Sequence, residues 1–124
     1  MAILDWELST VGNPLADLAY FCMCLRLPAD GNIIGLMGRN RTELGVPEEA
    51  AIVKRYCELR RISGIPNWNF YLAFSFFRLA AIAQGVIKRA IDGNASSAQA
   101  RQTGEMVEPL AQMGSALTRT ECTE

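Results

Sequence analysis

Residues 2–6, Ala-Ile-Leu-Asp-Trp, are the one stretch of this chain that reads as a β-strand, and everything after them is punctuated for helices. A lone strand has no ladder partner, and unpaired N–H and C=O groups are costly when buried. Part of a sheet is therefore missing from the chain, or is supplied by a partner. Unpaired edges recruit other strands, so a homodimer joined through residues 2–6 is one expected arrangement.

The helices follow from their start and stop signals. Asn13 is a good N-cap and Pro14 suits the first helical position, where its missing N–H costs nothing. The first helix is expected from about Pro14 to Leu27, ending before Pro28. Residues 28–46 carry Gly31, Gly35, Gly38 and Gly45 with weak periodicity, which predicts an irregular connection with a short helix at Asn32–Met37. Pro47-Glu48-Glu49 opens a second helix, its acids well placed for the positive end. Ile52, Val53, Tyr56 and Leu59 continue it at helical spacing; Gly64 is the expected left-handed residue beyond its end, and Pro66 blocks continuation. Asn67 is expected to cap a long third helix reaching Ile91, with Asp92-Gly93-Asn94 as its stop. Ser96 or Ser97 caps a fourth running towards Thr118, which Pro109 should kink or divide.

Size and composition exclude several classes. A chain of 124 residues, half hydrophobic and one-fifth charged, suits a packed domain or part of one. The net charge is −1 with acids and bases interspersed, which gives no footprint for nucleic acid. Cys22 and Cys24 are too close for a C-x₂₋₄-C zinc pair, and no histidine exists to complete a mixed site. Buried thiols packing as small hydrophobes are the plainer reading. With no basic-then-apolar leader at the N-terminus, four scattered cysteines are expected in a reducing, cytoplasmic setting. The best membrane candidate, Trp68 to Ile87, has Arg78 at its centre, at a cost of about 2.5–3.5 kcal/mol in mid-bilayer. A central core helix is expected there instead, and no membrane partner.

Asp5 and Glu7 share one face of the strand, because side chains alternate. Two carboxylates at a strand end suit Mg²⁺, a hard cation usually held by one or two carboxylates plus substrate phosphates. By spacing alone, a solvated strand end is the commoner outcome.

The opening run Ile3-Leu4-Asp5-Trp6-Glu7, the turn Gly12-Asn13-Pro14 and the following Asp17-Leu18-Ala19 resemble the metal-binding segment of the kinase-like phosphotransferases, the aminoglycoside and choline kinase superfamily. Tyr56, Trp68-x-Phe70-Tyr71, Phe74, Phe77-Arg78, Gln84-Gly85-Val86, Arg89 and Gly93-Asn94 resemble the helical subdomain of the group associated with acyl-CoA dehydrogenases. The resemblance implies a mainly α fold, the C-terminal helical subdomain of a protein-kinase-like fold with one strand left from its sheet. The chain is then a single-domain fragment, 1–124, in which residues 1–12 are the metal-site strand and loop and 13–119 the helical subdomain. It further implies Mg²⁺ and ATP as cofactors, a small-molecule acceptor, Asp5 as metal ligand and Glu7 as a less settled second one. Asp17 would be a buried brace of the catalytic loop, and Asn13 departs from the usual aspartate. Tyr71 and Arg78 are the candidates for an acceptor pocket. The aromatic run of Trp68, Phe70, Tyr71, Phe74, Phe76 and Phe77 reads first as plain core. A buried Arg78 would need a partner, with Asp17 or Glu58 as structural choices and an anionic acceptor as the alternative.

What the chain lacks completes the expectation. Without histidine there is no His-Gly-Asp catalytic loop, and no Gly-rich phosphate loop or strand lysine is present. No residue of this chain is expected to be catalytic, and the chain alone should not turn over, since phosphoryl transfer needs all these parts. The competing expectation is a non-catalytic helical module that dimerises or binds a partner through the strand edge.

Overall fold

The computed structural model describes residues 9–93 and 102–119. Four helices carry the fold: α1 (Leu15–Leu25), α2 (Glu49–Arg60), α3 (Trp68–Ile91) and α4 (Val107–Arg119). The expected strand at residues 2–6 and the Ser96 or Ser97 cap lie outside the described residues.

The centre is α3, about 36 Å long at 1.5 Å per residue. It buries Leu72, Ser75, Phe76, Leu79, Ala80 and Ala83, the i, i+3, i+4, i+7 pattern of a core-facing stripe. Against it α1 packs Ala19, Cys22 and Met23, and α4 packs Leu110. Gly114 lets α4 approach closely, since a Cβ there would stand 3.2 Å from the Phe76 Cβ and 3.3 Å from the Ala73 carbonyl oxygen. Among the described residues the single buried polar side chain, Ser75, returns its hydroxyl to the Tyr71 carbonyl at 2.8 Å, so it costs little. By length and composition α3 could cross a membrane; in this fold it is the helix that α1 and α4 share.

Local signals explain most boundaries. Asn13 Oδ1 accepts from the Leu15 N–H at 3.0 Å, the expected N-cap, with Pro14 next. The expected helix at Asn32–Met37 is absent. That segment instead folds back on the end of α1, where the Leu36 and Met37 N–H groups donate to the Leu25 and Leu27 carbonyls at 3.2 and 3.0 Å. Carbonyls orphaned at a helix C-terminus need such donors, and supplying them outweighed a weak local helix propensity. Gly35 is required there: a Cβ would collide with the Leu27 carbonyl oxygen and lie 2.7 Å from that of Cys24.

Two further expectations are corrected. α2 ends at Arg61, which takes the left-handed conformation at φ 57° while its N–H and that of Ile62 close on Glu58 and Cys57. Gly64 therefore does not perform this role. Asn67 precedes α3 in a left-handed conformation and makes no side-chain cap. The fourth helical stretch is divided as expected, but at residues 105–106 and not at the proline. Pro109 falls in the first turn of α4, where no N–H is needed.

Candidate functional site

The turn before α1 and one face of α3 enclose an open cavity of about 820 Å³. Ser9 to Pro14 form one wall, with Ala16 and Asp17 from α1 and Phe74 and Arg78 from α3. Tyr71 sits one helical turn before Phe74 and is joined to this wall, because the Asn13 amide Nδ2 donates to its hydroxyl at 3.0 Å. Asp17, Tyr71 and Arg78, which are far apart in sequence, thus converge on one region. Asp5 and Glu7 lie outside the described residues, so the structure gives no geometry for them. Another cavity of about 540 Å³, between α2 and the start of α3, includes none of these residues.

The environments differ from expectation. Asp17 is exposed, where a buried brace was expected. Two residues from Ala19 it points about 200° away, opposite the buried face of α1. Arg78 is exposed too, and neither Asp17 nor Glu58 pairs with it among the described residues. Glu58 is taken by Arg55 at 3.3 Å. Arg78 instead lays its guanidinium over the Tyr20 ring, 5.1 Å from the centroid, a cation–π contact that orients it without neutralising it. Burial pushes the Tyr20 hydroxyl up, helped by Cys24 and opposed by Arg78.

The aromatic run is only partly core. Phe76 is buried, but Phe70, Phe74 and Phe77 stand 58%, 44% and 66% exposed. Spaced i, i+4 and i+7, they form one stripe with ring centroids 6.4 Å apart at each step. Two apolar stripes on one helix look alike in sequence, and only the position of α1 and α4 decides which is covered.

Core packing was expected of Cys22 and Cys24, and holds fully for Cys22. Cys22 and Cys57 are buried and Cys24 half-buried, all free, and burial pushes Cys22 up to about 11. Among the described residues no group of three or more His, Cys, Asp or Glu could hold a metal.

Sequence reasoning missed a network where three helix ends meet. Arg26 donates through Nε and Nη2 to the two Glu49 oxygens at 2.6 and 2.7 Å, and Trp68 Nε1 donates to Glu49 at 3.0 Å. Its members are 19 and 23 residues apart, so no local spacing could reveal it.

Both the sequence and the fold of this chain have relatives. The chain is 49% identical over 114 residues to acyl-CoA dehydrogenase family member 10 of Mus musculus, covering 91% of this chain and 11% of that one. It is 42% identical over 120 residues to family member 11 of Homo sapiens, covering 96% and 15%. The chain is homologous to one segment of these proteins. Among solved structures, a Ralstonia eutropha protein assigned to the aminoglycoside phosphotransferases matches with a TM-score of 0.86 and 45% identity. That match covers 96% of this chain and 36% of the other. The mainly helical fold is thus that of part of a phosphotransferase of this kind, as the opening motif and helical pattern implied. No protein-family model matches the chain. The segment spans about one-seventh or less of the curated relatives.

Proposed function

We propose that this chain is the acceptor-side part of a kinase-like phosphotransferase that moves a phosphoryl group from ATP to a hydroxyl of a small molecule. The observation that carries this reading is the 45% identity and 0.86 TM-score over 96% of the chain to the phosphotransferase-assigned structure. The exposed Phe70, Phe74 and Phe77 stripe supports a chain that works within a larger protein, since apolar patches of that kind mark contact surfaces.

In this reading Asp5 holds Mg²⁺, with Glu7 as a second carboxylate. Both are oxygen donors of the hard type that Mg²⁺ takes, and two of them fall short of its six positions. The described residues add no further cluster, so the remaining ligands come from elsewhere. Mg²⁺ bound with ATP neutralises charge on the phosphates during transfer. Asp17, exposed at the cavity edge, would accept hydrogen bonds from a catalytic loop supplied by the rest of the protein. Arg78, fixed by Tyr20, and Tyr71, fixed by Asn13, would orient the acceptor across the open cavity.

The test uses a complete protein containing this segment. Asp5→Asn should abolish phosphoryl transfer from Mg-ATP with an unchanged circular dichroism spectrum. Retention of more than about a tenth of the rate, where losing a transition-state contact ordinarily costs tenfold or more, would reject Asp5 as the metal ligand.

A further inference from the structure

We draw no further inference here: the strongest candidate, the exposed stripe of Phe70, Phe74 and Phe77 along α3, is an unpartnered apolar face, and nothing in the structure shows what covers it.

Discussion

The Asn13 side chain serves two helices at once: its oxygen caps α1 at the Leu15 N–H, and its amide donates to the Tyr71 hydroxyl on α3 at 3.0 Å. The turn before α1 is thereby pinned to α3, 58 positions away. Asn13→Ala should lower stability by about 1 kcal/mol through the cap alone. Asn13→Asp should be nearly neutral, because a carboxylate still caps and can accept from the Tyr71 O–H. Tyr71→Phe should cost about 0.5 kcal/mol for an exposed bond. Urea unfolding of the four chains, including the Asn13→Ala/Tyr71→Phe pair, gives the coupling directly; additive effects would mean the bond contributes nothing.

Glu49 sets an acid limit on stability. Burial by itself would raise its carboxyl, but hydrogen bonds from Arg26 and Trp68 outweigh it and hold the group below the usual carboxylate value. A depressed folded value means the contribution is present above the unfolded value, near 4.5, and is lost as pH falls through the folded one. Melting temperature should therefore decline below about pH 4.5, and Glu49→Gln should flatten part of that decline. At pH 7 the same substitution should cost about 1–3 kcal/mol, since Arg26 is left half-buried without its carboxylate. A pH profile unchanged by Glu49→Gln would show that other acids govern the transition.

Cys22 runs in the opposite direction. Burial first, and then Glu49, push its thiol up to about 11 from an ordinary 9.0, so the neutral form is favoured in the fold. That stability is complete below pH 9 and is lost as pH rises towards 11. In the native chain at pH 8 Cys22 should resist iodoacetamide and react only on unfolding. Mass mapping of the alkylated thiols checks this, and rapid native labelling at Cys22 would contradict its position in the core.

Gly35→Ala tests the fold-back of residues 28–37 onto α1. The added methyl group meets the Leu27 and Cys24 carbonyls, both backbone atoms that cannot swing aside. A loss of about 1–3 kcal/mol is expected, as for overpacking elsewhere. Gly12→Ala, where a Cβ meets nothing within 4 Å, is the matched control and should be close to silent in the same unfolding series.

Mg-ATP should leave the melting temperature of this chain almost unchanged, since ligand stabilisation follows RT ln(1 + [L]/Kd) and two carboxylates hold Mg²⁺ weakly. A large shift that disappears in Asp5→Asn would show that the segment binds nucleotide without the rest of a phosphotransferase.

The sequence alone determined the helices, because their signals are local. Pro14 behind Asn13, Pro47 before its acids, Pro66 and Asp92-Gly93 act on the backbone within a few residues, whatever surrounds them. It also carried the family resemblance, since the opening motif and the aromatic spacing are linear patterns. The tertiary structure decided what each face does. Asp17 proved exposed because Ala19, Cys22 and Met23 took the buried side of α1. Phe70, Phe74 and Phe77 stayed outside because α1 and α4 covered the stripe of Leu72, Phe76 and Leu79 instead. The choice of Arg61 over Gly64 as the left-handed residue, the fold-back that displaced a helix at Asn32–Met37, and the Arg26–Glu49–Trp68 network depend on groups brought together by packing. Such pairings are fixed by distance in space, and distance along the chain carries no record of them.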